Sequence, residues 1–340
     1  MNVLKSIKYW FLKDVPVPAV NPIKRYGSKY WYLDGKLHRT DGPAIEHSDG
    51  TNRWYFDGNL HRTDDPAVKH ADGSEEWFKN GKLHREDGPA ISSHDGTKKW
   101  HNNGLLHRTD GPAIERANGD KEWWMNGKRH RTDGPAIEWT NGSKEWYLNG
   151  ELYREGGPAF ERFDGTKFWY LNEVFHRTDG PAIERPDGSK EWYFEGKLHR
   201  TDGPAVECPD GYKQWFKNGK FHREDGPAVE HTDGSKEWHL NGLLHRMDNP
   251  AIEYTNGTKE WYSNGKRNRE GGPAIEYANG SRSWYLDGKL HRKNGPAVEL
   301  ADGDCEWWLN GDRHREDGPA IERFNGTKEW YLNGVRSKTE

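Results

Sequence analysis

The chain is poor in the materials of an ordinary globule. Only 31% of its 340 residues are hydrophobic and mean hydropathy is −1.20, whereas a conventional domain draws on close to half its residues. A thick core is excluded. The two cysteines, Cys208 and Cys305, fit neither a disulfide framework nor a metal-binding spacing, which points to a reducing, cytoplasmic location. No apolar run approaches the length of a membrane span. Lys5 and Lys8 interrupt the first residues, which argues against a secretory leader. Neither sign of charge dominates: the formal net charge is −4 and the pI about 6.5, not the profile of a chain built to hold polyanions. Helical periodicity is missing throughout.

Aromatic and turn-forming residues are plentiful instead, with 18 Trp, 15 Tyr, 11 Phe, 40 Gly and 18 Pro. Large apolar faces at regular intervals exclude disorder. Fourteen tryptophans run from Trp31 to Trp330 in steps of 23 residues without insertion or deletion. Arg39 to Arg315, Pro43 to Pro319 and Ala44 to Ala320 recur at the same step in thirteen copies. His precedes the Arg in eleven of them; Tyr153 and Asn268 are the exceptions. The consensus G-[ST]-K-E-W-Y-L-N-G-K-L-H-R-x-D-G-P-A-I-E-x-x-[DN] accounts for residues 27–334.

The unit reads as β. Lys-Glu-Trp-Tyr-Leu is a short aromatic run, and the Asn-Gly or Asp-Gly after it is the strongest local hairpin signal. Lys-Leu-His-Arg leaves that turn and reaches Asp-Gly-Pro, where proline removes a ladder donor and glycine permits a bend. Two main strands per unit follow, the second kinked. The expected fold class is all-β, an elongated tandem-repeat antiparallel sheet of stacked hairpins on the order of 120 Å long. A β-solenoid with one coil per unit is the alternative. Residues 1–27, with the run Lys8-Tyr9-Trp10-Phe11-Leu12 and prolines at 16 and 18, read as a degenerate N-terminal capping unit. Residues 28–340 read as one continuous domain of fourteen repeats, the last partial, whose charged tail Arg336-Ser337-Lys338-Thr339-Glu340 blunts the far edge.

The motif Trp-Tyr-Leu-Asn-Gly-Lys-Leu-His-Arg-Glu-Asp-Gly-Pro-Ala resembles the membrane occupation and recognition nexus (MORN) repeat family in its divergent variant, and is similar to tandem arrays of large tailed phages and giant viruses. Arg-x-Asp-Gly-Pro-Ala stands where the family has a glycine-rich stretch, and the Tyr-x-Gly-x-Trp element is absent. The resemblance implies stacked hairpins and a scaffold or adaptor role, including a viral protein that binds or sequesters a host factor.

The repeated polar residues are His38-Arg39, His61-Arg62, His84-Arg85, His107-Arg108, His130-Arg131, His176-Arg177, His199-Arg200, His222-Arg223, His245-Arg246, His291-Arg292 and His314-Arg315. Asp lies two residues after the Arg in ten of thirteen copies, and Glu seven after it in eleven. A ladder of Arg–carboxylate bridges across the bend explains both spacings. Equivalent histidines about 9.5 Å apart cannot share a metal whose ligands sit about 2 Å away, so no metal or cofactor is expected. Identical groups along a line do not converge as catalysis requires, so the chain is read as non-enzymatic. A protein partner is expected: arginine and aromatic repeats can form a nucleic-acid stacking platform, but the tryptophans are more simply the hydrophobic spine, and no polybasic cluster marks a membrane patch. A structural or virion-associated protein is the alternative, and a nucleic-acid or nucleotide-binding surface the third reading. Non-consensus Trp124, Trp139 and Trp308 are the candidate anchors, the first and last expected on the face opposite the invariant Trp.

Overall fold

The computed structural model describes residues 21–339, so the aromatic run at 8–12 and the prolines at 16 and 18 lie outside it. The described residues form strands and turns without helix. They group into two compact units that divide between Phe163 and Asp164, each built from the same repeat.

Repeats are numbered here by their invariant Trp, from Trp31 in the first to Trp330 in the fourteenth. Each internal repeat makes four two-residue strands, a correction to the two longer strands expected. In repeat eight these are Lys190–Glu191, Tyr193–Phe194, Lys197–Leu198 and Val206–Glu207. The first and last pair with strands of adjoining repeats in an antiparallel ladder, while the middle two pair only with each other. Trp192 stands between, where the chain leaves the ladder. Its N–H donates to the Ala205 carbonyl at 2.8 Å and its own carbonyl accepts from the His199 N–H at 3.0 Å. The N–H thus extends the Glu191–Val206 pairing by one residue, while the carbonyl turns to the hairpin, and the ladder strand ends at Trp192.

In the first unit the ladder runs from Ile23–Arg25 to Phe160–Glu161, and in the second from Lys167–Phe168 to Val335–Thr339. The two ladders together comprise 29 strands. Successive hairpins are also joined: Arg200 donates to the Phe216 carbonyl at 3.2 Å and Gly219 to that of Leu198 at 2.9 Å. Hairpin turns have the left-handed pair the sequence requires, as at Asp34 (φ 49°) and Gly35 (φ 78°), the two-residue turn that matches strand twist.

The core is thinner than the aromatic content suggests. Each of the thirteen alanines that follow the bend proline is at most 1% exposed, and the Ile or Val after it is buried or nearly so. The tryptophans, expected to form the hydrophobic spine, are half-buried; of the described copies only Trp261 is fully covered. Each is shielded instead by a charged group.

Candidate recognition face

That group is the repeat arginine. The Arg200 guanidinium lies 3.9 Å from the centre of the Trp192 ring, and all thirteen copies stack alike, at 3.8–4.2 Å. A partly desolvated stack of this kind contributes up to about 2 kcal/mol. Arg200 Nε donates to Asp202 at 2.9 Å, and Nη1 donates to the Pro204 carbonyl and to Glu207, both at 3.2 Å. One planar cation thus ties ring, bend and ladder strand together, as its fork of fixed donors allows. Gly203 gives the guanidinium room, since a Cβ there would meet its carbon at 2.9 Å. Repeat two tests the point: Lys69 replaces the Glu, Asp65 replaces the Gly, and Arg62 pairs with Asp65. The paired aspartates stay ionised, the Arg200 hydrogen bond holding the Asp202 carboxyl below its usual range.

The histidines have a different task. His199 Nδ1 accepts the backbone N–H of Asn218, the turn residue of the following hairpin, at 3.1 Å. All eleven make this bond at 3.1–3.2 Å, and Asn268 reproduces it through Oδ1 at 3.3 Å. The consensus Ser or Thr forms a second staple: Ser28 Oγ accepts the Ser48 N–H at 3.1 Å, and Asp120 and Asp304 act likewise on Thr140 and Phe324. Pro186 and Pro209 have no N–H to offer at this place. Sequence spacing placed the arginine beside its carboxylates but missed the stack on Trp and both staples. The fixed eight-residue step from Trp to Arg was the available signal for the stack.

The other face carries glutamate and tyrosine. Tyr193 donates to Glu191 at 2.9 Å, and Tyr147 and Tyr262 meet Glu145 and Glu260 alike. Burial, reinforced by these carboxylates, pushes all three phenols up to about 12. The candidate anchors belong here. Trp124 donates to Glu122 at 3.2 Å, Trp139 to Glu145 at 2.9 Å and Trp308 to Glu306 at 3.0 Å. All three are half-buried and each holds a different glutamate. Arg129 and Arg313 lie over Trp124 and Trp308 at 5.2 and 5.0 Å. His239 replaces the tyrosine in repeat ten, and with His231 it grips Glu237, each at 2.8 Å; the His239 bond, opposed by burial, lowers the Glu237 carboxyl. Among the described residues no group of three or more His, Cys, Asp or Glu could hold a metal ion.

On the Trp–Arg face, consecutive bends enclose open clefts of about 580–710 Å³. One of about 710 Å³ lies between repeats eight and nine, bounded by Thr201, Asp202, Trp215, Lys217, Glu224 and Asp225. The arginines in its wall are stacked and paired, about one-fifth exposed, whereas Asp202 and Asp225 are 78% and 85% exposed. The groups turned outward are therefore carboxylates and aromatic edges, with the exposed ammonium of Lys217 beside them. No helix of the described residues is long and apolar enough to cross a membrane. No protein-family model and no curated protein matches the chain.

Proposed function

We propose that this protein is a non-enzymatic scaffold that binds another protein along its Trp–Arg face. The carrying observation is the series of similar clefts between successive bends, each offering exposed carboxylate beside aromatic carbon on a frame fixed by stacked arginines. A frame whose groups are already paired binds without a large ordering cost. Regular 23-residue hairpin repeats are consistent with the divergent MORN-like array, and in that reading the face blocks or sequesters its partner. Exposed carboxylates on this face favour protein over nucleic acid, whose phosphates they repel.

The test is affinity capture with the full chain from its native host, followed by carbodiimide cross-linking, which joins carboxylates to lysines. Cross-links from bend carboxylates such as Asp202 and Asp225 to a stoichiometric protein support the proposal. Recovery of nucleic acid, or cross-links confined to the Tyr–Glu face, overturns it.

A further inference from the structure

The repeats are not equivalent, and four of their departures, at the two positions after the invariant Trp, recur six units apart. Phe at the second position after the invariant Trp occurs only as Phe56 and Phe194, and Lys there only as Lys79 and Lys217. Phe at the first position occurs only as Phe78 and Phe216, and His there only as His101 and His239. Each pair is 138 residues apart, six units of 23. One member of every pair falls in the first compact unit and the other in the second.

The local geometry repeats with the sequence. Phe56 sits between the His38 and His61 rings, centroids 4.6 and 6.1 Å away; Phe194 sits between His176 and His199 at 4.8 and 6.0 Å. Both rings remain 43–50% exposed. The cleft that Phe194 lines is flanked by Asp179 and Asp202, and all twelve of its lining residues recur unchanged 138 positions upstream. The neighbouring clefts holding Lys79 and Lys217 likewise correspond at all nine residues that line the first. Other repeats carry Leu, Asn, Met, Lys or Ser where these two carry Phe.

We infer that each unit bears one copy of the same docking site, centred on Phe56 in the first and Phe194 in the second, and that its occupant is a cationic side chain, Arg or Lys, on a protein partner. This deepens the scaffold reading and rests on it. Charge complementarity selects the occupant. Arg177 and Arg200 in the wall are each hydrogen-bonded to two carboxylates and about one-fifth exposed. Asp179 and Asp202 are 79% and 78% exposed, with Oδ1 engaged by arginine. A half-exposed aromatic ring between ionised carboxylates receives a guanidinium or ammonium through ion pairing, with cation–π attraction to the uncovered part of the ring. In the first unit Arg62 turns to Asp65, which leaves Asp64 without an ion pair among the described residues.

The probe is an octa-arginine peptide titrated calorimetrically into the full chain, with octa-glutamate as control. Leucine is natural at this position in Leu33, Leu171 and Leu286, so Phe56→Leu and Phe194→Leu keep the fold. Two equivalent sites are expected in the wild type, one in either single variant, and at least a tenfold weaker affinity in the double variant. A single site, many equal sites along the array, or an unchanged double variant overturns the inference. If octa-arginine does not bind although a native protein cross-links to the bends, the cationic assignment fails and the scaffold reading stands. If no protein cross-links to this face, the scaffold reading itself fails.

Discussion

Repeat eight and the last hairpin start with the same four residues, Lys-Glu-Trp-Tyr, and fold differently. In repeat eight the strand breaks at Trp192 and a separate hairpin begins. In the last, Lys328–Leu332 runs unbroken through Trp330 and pairs with Val335–Thr339, with one register shift between Trp330 and Tyr331. The tail expected to blunt the sheet edge is thus a paired strand. What differs is the return. Repeat eight comes back through His199-Arg200-Thr201-Asp202-Gly203-Pro204-Ala205, whose last carbonyl captures the Trp192 N–H; the last hairpin comes back through Arg336-Ser337-Lys338-Thr339. Lys338 stands where the arginine would and lies 4.6 Å from the Trp330 ring, against 3.9 Å for Arg200 over Trp192. The break belongs to the Gly-Pro-Ala return, and the aromatic run alone makes a plain hairpin.

The largest way to break this contrast is Trp192→Ala. It removes the ring beneath Arg200 and should cost about 3 kcal/mol, the low end for a large aromatic because the ring is half-buried. Trp330→Ala, under a lysine in a continuous strand, should cost less than half as much. Guanidinium unfolding, with amide exchange across residues 186–216, reads both; equal losses would mean the Arg stack adds nothing.

Arg200→Lys is the next in size. It keeps the charge but loses the planar stack and the fork that joins Asp202, Pro204 and Glu207, at an expected cost of about 1–2 kcal/mol. The reciprocal Lys338→Arg should stabilise the last hairpin. Stabilisation by both changes would contradict the assigned role of the guanidinium.

His199→Ala frees the Asn218 N–H and should cost about 1 kcal/mol. His199→Asn should recover most of that, because Asn268 already makes the bond. Amide exchange at residue 218 distinguishes a staple from a passive surface ring: it should accelerate in the alanine variant only.

The smallest effect depends on pH. His101 takes the place of the hairpin tyrosine in repeat four and is buried, which lowers its basicity below the usual histidine value of 6.5. Between the depressed folded value and 6.5 the unfolded chain binds more protons, so its contribution is complete above 6.5 and is lost as pH falls through that window. The thermal midpoint of the wild type should drop further from pH 7 to pH 5 than that of His101→Tyr, which restores the consensus residue. Identical drops would show that this imidazole does not couple to folding.

Much of the fold was legible because the chain states it many times. The 23-residue step, the Asn-Gly turns and the absence of helical spacing determine an all-β antiparallel array. The Arg-to-Asp and Arg-to-Glu spacings also foretold ion pairs that the bend forms, since two and seven residues across a sharp turn bring those groups together. Trp124, Trp139 and Trp308 were legible only as exceptions. That their indole N–H groups hold Glu122, Glu145 and Glu306 depends on contacts that no spacing encodes.

The sequence by itself determined the period, the strand class, the turn type and the pairing of arginine with carboxylate, because each follows from backbone preference or from charges a few residues apart. Only the tertiary structure decided that the strand breaks at tryptophan, that alanine rather than tryptophan is the buried spine, and that histidine serves the next repeat's turn. Those outcomes depend on groups brought together from 13 to 19 residues away, as in Trp192 with Ala205 and Asn218 with His199. At that distance it is chain closure, not local preference, that selects which donor meets which acceptor.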